Sequence, residues 1–143
     1  MKAKLRIESL EILNSWSKNT ILDVLGIKLT GIGEDFLEAT MPVDARTHQP
    51  YGILHGGASV VLAETLGSIG ALLLVDPTKF RCMGLDINAN HIKAVRSGIV
   101  IGRAKPIHAG RSTQVWQIEI KTEEGELVCI SRITMAVVPI EAK

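Results

Sequence analysis

The chain has 143 residues and a formal net charge of +1 at pH 7, and it is 46% hydrophobic but only 3% aromatic. This length predicts a single domain over residues 1–143 with an aliphatic core. The near-zero charge argues against a broad nucleic-acid-binding surface. The first residues carry no apolar signal-peptide segment. We therefore expect a cytoplasmic protein that does not bind nucleic acid.

Two short helices and two strands are predicted before residue 44. Ser9 to Trp16 has apolar residues at helical spacing. Thr20 to Asp23 resembles a capping box that opens a second short turn, which Gly26 ends. Strands are predicted over residues 27–30 and 36–43, joined by a glycine-rich turn. We expect the two helices to pack at the edge of the fold.

The central stretch of the chain combines a loop with a long apolar helix. Residues 48–57 contain one proline and three glycines, which predicts a loop. Residues 58–75 are almost all apolar or small and end before Asp76-Pro77, which predicts a helix about 27 Å long. A helix that is apolar on all sides is typically buried. Because this helix carries Glu64 at its middle, we do not expect it to cross a membrane.

The segment after Pro77 reads as four strands. The predicted strands cover residues 80–91, 99–105, 114–122 and 127–138, and residues 106–112 are expected to form a loop or bulge. In the first of these strands Leu85, Ile87 and Ala89 alternate with polar residues. Cys82 and Cys129 lie inside strands without metal-ligand spacing, which favours reduced buried thiols. The order of elements predicts an α+β fold in which an antiparallel sheet curls around one long helix.

Glu64 is the residue that most needs an explanation. An isolated carboxylate in apolar surroundings is costly unless it is paired, solvated or protonated. Its helical neighbours at i±3 and i±4 include no cation. Two readings stay open: a distant Lys or Arg pairs with Glu64, or Glu64 faces a cleft and performs chemistry.

The His-Gly-Gly sequence before the helix favours the second reading. Gly56 and Gly57 place backbone N–H groups at a helix N-terminus, where they can stabilise a developing oxyanion. Eight residues separate Gly56 from Glu64, which is about 12 Å along a helix. One carbonyl cannot contact both groups of one chain. If both act on one carbonyl, they must come from two subunits of a dimer.

Four motifs together resemble those of hotdog-fold acyl-CoA thioesterases. They are His-Gln-Pro-Tyr-Gly-Ile-Leu-His-Gly-Gly-Ala-Ser-Val-Val-Leu-Ala-Glu at 48–64, Gly-Leu-Asp-Ile-Asn-Ala-Asn-His at 84–91, Lys-Pro-Ile-His-Ala-Gly-Arg at 105–111 and Val-Trp-Gln-Ile-Glu-Ile at 115–120. The chain is similar over its whole length to the phenylacetate-degradation branch, which includes dihydroxynaphthoyl-CoA hydrolases and enterobactin proofreading thioesterases. The resemblance implies a hotdog fold and hydrolysis of an aromatic or short-to-medium-chain acyl-CoA.

The resemblance also implies roles for particular residues. Glu64 would be the nucleophile or general base, and the Gly56 amide of the other subunit would bind the oxyanion. Gln49 and His55 would position the thioester or water, and Ser68 would line the same pocket. Residues that would bind the substrate or its CoA group are Gly84, His91, Lys93, His108, Ala109, Gly110, Arg111, Ser112 and Thr113. The family forms homodimers that often pair into homotetramers and use no cofactor apart from the CoA of the substrate.

Two alternatives to the hydrolase are a hotdog hydroxyacyl-thioester dehydratase and a non-catalytic acyl-CoA-binding protein. A dehydratase commonly pairs a histidine base with an acid at the helix, but His55 precedes Gly-Gly here. A pure binding protein has no evident use for a buried carboxylate at Glu64. His48 is expected to be an exposed loop residue. The four histidines share no ligand spacing, so no metal site is predicted.

Overall fold

A computed structural model describes residues 3–141. The elements in chain order are α1 (Leu10–Ser15), α2 (Ile21–Leu25), β1 (Lys28–Ile32), β2 (Leu37–Pro42), α3 (Gly56–Leu73), β3 (Phe80–His91), β4 (Ile99–Ala109), β5 (Thr113–Thr122) and β6 (Leu127–Pro139). The strands form one antiparallel six-stranded sheet in the order β1-β2-β4-β5-β6-β3. The sheet packs on α3, which confirms the predicted α+β architecture with one long central helix.

The core lies between α3 and one face of the sheet. Trp116, Ile118 and Ile120 of β5 alternate with less buried residues and are fully buried, as their spacing predicts. Gly70 of α3 lets the helix approach the Trp116 ring, because a Cβ there would lie 2.6 Å from the indole. By length and composition alone α3 could cross a membrane, but half of it is buried inside the fold. It is the core helix of this domain.

The ends of α3 differ by two residues from the prediction, which placed the helix over residues 58–75. The helix begins at Gly56 because the His55 side chain caps it by accepting the Gly57 N–H. It ends at Leu73 because the N-terminal segment covers its last carbonyls. The Arg6 backbone N–H donates to the Leu73 carbonyl and the Arg6 guanidinium donates to the Leu72 carbonyl. This second contact joins distant parts of the chain, so helical spacing could not predict it.

The two short helices form as predicted and protect one edge of the sheet. Ser9 and Thr20 are the N-caps of α1 and α2, and Gly26 ends α2 in the left-handed conformation. Asn14 of α1 forms hydrogen bonds with β1 that a neighbouring strand would otherwise form. Its Oδ1 accepts the Leu29 N–H at 2.8 Å and its Nδ2 donates to the Leu29 carbonyl at 2.9 Å.

Two β-bulges correct the predicted strands. The expected interruption at residues 106–112 is a bulge inside a continuous β4, with Pro106 opposite Trp116 and His108 opposite Val115. A second bulge in β3 leaves Leu85 without a partner on β6, and its side chain is 63% exposed. Leu85 therefore does not continue the apolar row of Ile87 and Ala89, because a bulge reverses the alternation of side chains.

Candidate active site

The loop before α3 is a small, fully hydrogen-bonded unit. His48 pairs with Leu54 in an isolated antiparallel bridge, and the Gln49 N–H donates to the Ile53 carbonyl at 2.8 Å. The loop begins at Asp44, whose carboxylate accepts hydrogen bonds from the Arg46 guanidinium. These hydrogen bonds lower the pKa of Asp44 to about 2. The loop is thus stabilised by hydrogen bonds within its own backbone and by the Asp44–Arg46 pair.

His48 is a structural residue of this loop. We expected it to be exposed, but it is half-buried and its Nε2 lies 2.8 Å from the Arg96 carbonyl oxygen. The Leu54 N–H also donates to the Val95 carbonyl at 2.8 Å. Both contacts attach the loop to the segment that follows β3. A single histidine in a loop carries no signal in the sequence for such a distant partner.

Gln49 points its carboxamide oxygen back into the loop. Its Oε1 accepts the Tyr51 N–H at 2.6 Å. The residue also lines a cavity of about 270 Å³ whose walls include Gly56, Ser59, His91 and Lys93. The cavity therefore joins the N-terminus of α3 to the end of β3.

His55 and Gly56 form the first turn of α3. The Gly57 N–H donates to His55 Nδ1 at 2.7 Å. The Ala58 N–H donates to the His55 carbonyl at 3.0 Å. Within residues 3–141 the Gly56 N–H has no acceptor. This turn therefore offers one free amide at the positive end of a helix, which suits a developing negative charge.

Glu64 of α3 is partly exposed, and its carboxylate lies against β3. A Cβ on Gly84 would be 2.8 Å from Glu64 Oε1, so a larger residue at this position would displace the carboxylate from its observed place. None of the ion pairs among the described residues involves Glu64. The reading in which a distant Lys or Arg pairs with Glu64 therefore does not hold within residues 3–141. Ser68 is one turn further along and is also half-exposed.

The candidate residues fall into two groups in the protomer. Gly84 pairs with Met135 of β6, which pairs with Gln114 of β5, so Gly84 and the β4–β5 turn share one end of the sheet. His91 pairs with Cys129 near the other end. The two ends are roughly 20 Å apart at about 3.3 Å per residue. The first group contains Glu64, Ser68, Gly84, His108, Ala109, Gly110, Arg111, Ser112 and Thr113; the second contains Gln49, His55, Gly56, His91 and Lys93.

The turn from β4 to β5 provides a basic surface in the first group. A hollow of about 370 Å³ beside it is lined by Lys105, His108 and Ala109 together with Asp35. The Gly110 N–H donates to the Thr113 carbonyl at 2.8 Å, which closes the turn. A Cβ on Gly110 would lie 2.6 Å from His108 Nε2, so glycine allows the imidazole to fold over the turn.

Neither thiol is placed to act as a nucleophile. Cys82 and Cys129 are free cysteines, and desolvation by burial raises the pKa of both. Residues 3–141 contain no group of three His, Cys, Asp or Glu side chains that could hold a metal ion.

Comparison with known proteins identifies the family of the chain. Residues 51–129 match the family model described as Thioesterase superfamily. The chain is 51% identical over 129 residues to 1,4-dihydroxy-2-naphthoyl-CoA hydrolase of Escherichia coli, covering 90% of this chain and 94% of that protein. It is 50% identical to the proofreading thioesterase EntH of Cronobacter turicensis, covering 90% and 93%. A crystal structure of a mutant of thioesterase PA1618 from Pseudomonas aeruginosa superposes with a TM-score of 0.94 at 50% identity, covering 97% of this chain and 100% of that one. The chain belongs to the Thioesterase superfamily and is a hotdog-fold thioester hydrolase.

Proposed function

We propose that the protein hydrolyses an aromatic or short-to-medium-chain acyl-CoA at composite sites between two subunits. One observation supports this most directly: Glu64 is a partly exposed carboxylate against Gly84 that forms no ion pair within residues 3–141. The free Gly56 amide of the same chain is about 12 Å away along the helix. The two groups can act on one thioester only if each site takes one of them from each chain.

The two edges of the sheet differ in a way that supports a dimer. The β1 edge is covered, because Asn14 bonds the Leu29 backbone. The β3 edge is twelve residues long and carries exposed Met83 and Leu85. A long edge strand without a cover is a template for pairing with another strand. We infer that β3 pairs with β3 of a second copy.

The positions of Glu64 and Gly56 fix the register of the β3–β3 pairing. Glu64 lies against Gly84, and the His91 ring lies against Gly56, 2.8 Å from the position of a Cβ there. To bring Glu64 of one chain to Gly56 of the other, Gly84 must lie opposite His91 of the second copy. Antiparallel pairing then places Asp86 opposite Asn90, with Leu85 as the extra bulge residue. The two-fold axis passes beside Asn88.

This register also unites the two groups of candidate residues. It places the β4–β5 turn of one chain beside His91 and Lys93 of the other. Arg111, His108 and Lys93 would then surround one strip of surface where the phosphates of CoA can bind. The backbone N–H groups of residues 109–113 would add further donors. CoA thus needs two chains as well, and no other cofactor is required.

The chemistry follows from these positions. The thioester carbonyl oxygen accepts the Gly56 N–H and gains negative charge as its carbon is attacked. Two routes use the same residues: the Glu64 carboxylate attacks the carbonyl, or it removes a proton from an attacking water. Gln49 and His55 position the thioester, and Ser68 lies beside the attacking group. The C–S bond then breaks and CoA leaves as the thiolate. In the first route water then hydrolyses the acyl anhydride on Glu64 and releases the acid, whereas the second route forms the acid directly.

The acyl group is proposed to be aromatic because one relative is named for 1,4-dihydroxy-2-naphthoyl-CoA. The main test measures thiol release from hydroxynaphthoyl-, benzoyl-, phenylacetyl- and straight-chain acyl-CoAs with wild type and Glu64→Gln. We expect the variant to lose about 10²–10⁴-fold in kcat, the usual contribution of an acid–base group, while it still binds substrate. Dehydration of a hydroxyacyl-CoA without thiol release would support the dehydratase, and binding without turnover would support an acyl-CoA sensor.

A mixing experiment tests whether two chains share each site. Glu64→Gln and His55→Ala are purified separately, each nearly inactive, and then mixed, unfolded and refolded together. In each mixed dimer one site receives both wild-type groups and the other receives neither. Equal mixing therefore restores about one quarter of the wild-type activity, since half of the dimers are mixed and half of their sites are intact. No recovery despite mixed-dimer formation would place both groups of one site in the same chain.

Cross-linking tests the register. In the proposed dimer Asn88→Cys faces its own copy across the axis, so mild oxidation should give a covalent dimer. Asn90→Cys is the matched control, because its two copies lie about 13 Å apart along the strands at 3.3 Å per residue. Cross-linking of the control but not of Asn88→Cys would place the two-fold axis beside Asn90 instead. Light scattering then distinguishes the dimer from the dimer of dimers that the family often forms.

A further inference from the structure

Ser59, in the first turns of α3, carries a hydroxyl group that the described fold does not use. The residue is only 2% exposed. Thr65 on the same helix shows the usual arrangement for such a group, since its hydroxyl donates to the Val61 carbonyl at 2.7 Å. The Ser59 hydroxyl forms no such bond within residues 3–141. It is therefore free to bind a ligand.

The Ser59 hydroxyl faces a cavity and not the core. The described hydroxyl groups that are both enclosed by protein and unpaired belong to Ser17 and Ser131. The Ser59 oxygen is unpaired but not enclosed, and the residue lines the cavity of about 270 Å³ beside Gly56. Ser59 follows Gly56 by three residues, so it lies on the same side of the helix, about 4.5 Å further along α3. A ligand that contacts the Gly56 amide can therefore reach this hydroxyl.

The cavity has an exposed rim and a buried floor. Residues 91–94 form the rim, and all four are exposed. The floor consists of Leu54, Ser59 and Val128, which are 9%, 2% and 3% exposed. The rim contains residues that we assign above to the CoA group, so the floor is left for the acyl group. Two aliphatic side chains and one hydroxyl suit an apolar acyl group that carries a polar substituent.

The size and charge of the cavity narrow the kind of acyl group. An aliphatic cavity of about 150 Å³ is sufficient to bind benzene. The 270 Å³ available here leaves room for a substituted or bicyclic aromatic ring. The floor contains no charged residue, so an ionised substituent there would lie unpaired, at a high cost. A neutral hydroxyl substituent can instead donate to Ser59 Oγ or accept from it.

We propose that Ser59 determines acyl specificity, because its hydroxyl forms a hydrogen bond with a hydroxyl substituent on an aromatic acyl group. The inference deepens the proposed function and rests on it. A site that pairs with a substrate hydroxyl discriminates against the analogue that lacks it. The hydrogen bond lies away from the reacting carbonyl and is present before and during the reaction. The discrimination should therefore appear in KM and leave kcat unchanged.

The first test compares thiol release from benzoyl-CoA with thiol release from its ortho-, meta- and para-hydroxy derivatives. With wild type, at least one hydroxy isomer should have a KM about 10-fold below that of benzoyl-CoA. In Ser59→Ala the KM of that isomer should rise to the value for benzoyl-CoA, whereas kcat and the KM of benzoyl-CoA stay within about twofold. A variant that keeps the preference, or a wild type without a preferred isomer, overturns the proposal.

The same measurements distinguish the acyl group from CoA as the partner of Ser59. If the hydroxyl contacted CoA, Ser59→Ala would raise KM equally for all four substrates, and the proposal would be wrong. Ser131→Ala is the matched control. It also removes a buried, unpaired serine hydroxyl, but Ser131 is not a lining residue of this cavity. We expect wild-type KM values and the wild-type preference for this control.

Stability measurements show that the effect does not arise from misfolding. Ser59→Ala breaks no hydrogen bond of the described chain, and Ala is favoured in helices, so the melting temperature should stay the same or rise. Ser59→Cys is a second variant of similar size. Its thiol is only a weak hydrogen-bonding group, so this variant should also lose most of the preference. Failure of the proposed function is recognised separately, because wild type itself would then release no thiol from any acyl-CoA.

Discussion

Gly84→Ala should lower the activity with little change in stability, because the added Cβ would come too close to only one atom, Glu64 Oε1. A Cβ at this position would lie 2.8 Å from Glu64 Oε1, whereas its next contacts, to the Glu64 carboxyl carbon and Ile133, are at 3.8 Å. Ordinary contacts of a Cβ begin near 3.4 Å. The carboxylate must therefore retreat by about 0.6 Å from the observed position, or rotate to another rotamer.

The expected magnitudes follow from these distances. A misplacement of about 1 Å in a catalytic group costs on the order of 10²-fold, so we expect kcat to fall by about 10- to 100-fold. Stability should change little or rise by up to about 1 kcal/mol, since Ala reduces the entropy of the unfolded chain and Gly84 does not have a positive φ. Thiol release from an acyl-CoA and thermal unfolding of the same preparation measure both effects.

Gly31→Ala is the matched control. It is also a glycine in a strand, and its added Cβ would meet only ordinary contacts, the nearest being 3.4 Å from the Glu38 Cβ. We expect this variant to keep wild-type activity. Full activity of Gly84→Ala, with Glu64→Gln inactive, would show that the carboxylate reacts from a different position than the one against β3. Loss of folding in Gly84→Ala would show that the bulge at Leu85 requires glycine.

Three further substitutions test what stabilises the fold. Gly70→Ala should lower the free energy of unfolding by about 1–2 kcal/mol in urea titrations, because overpacking against the fully buried Trp116 ring costs about 1–3 kcal/mol and exceeds the gain in helix propensity. Asn14→Ala removes both hydrogen bonds to the Leu29 backbone and should cost about 1–3 kcal/mol, with aggregation at the exposed edge; an unchanged midpoint would show that α1 does not protect β1. The pKa of Asp44 is lowered to about 2 by its hydrogen bonds to Arg46. Because a depressed carboxyl pKa stabilises the fold above its unfolded value of about 4, this contribution should be lost as pH falls from about 4 to 2, and Asp44→Asn should show a flatter acid-unfolding curve over that window.

The sequence predicts the parts of this fold that depend on local periodicity. The strand over Phe80–His91 has the predicted bounds, and the inward row of Trp116, Ile118 and Ile120 follows from simple alternation. The caps at Ser9 and Thr20 are local as well, since each side chain bonds an amide two or three residues away. These features need only a short window of sequence and the geometry of helices and strands.

The features that the sequence does not reveal depend on distant contacts or on added residues in one strand. Leu85 belongs to an apolar row by alternation, but the bulge turns it outward. The predicted bulge in β4 is present at Pro106–His108, but the strand continues past it to Ala109. The end of α3 is set by Arg6, more than sixty residues earlier. The position of Glu64 against Gly84 is of the same kind, because two residues twenty positions apart are brought together only by the packing of α3 on β3.

The bulge at Leu85 connects these observations to the assembly. When two copies of a regular strand pair antiparallel, the two residues that lie opposite each other point to the same face of the sheet. Because side chains alternate along each strand, the numbers of two such residues are both even or both odd, so their sum is even. Gly84 and His91 both face α3, since they lie against Glu64 and Gly56, yet their numbers sum to an odd value. The bulge between Gly84 and Asp86 changes the parity and allows the two residues to lie opposite each other. A chain without the bulge would bring the carboxylate of one subunit to the wrong face of its partner. In the proposed dimer, the bulge that alternation fails to predict is therefore the feature that lets Gly84 lie opposite His91.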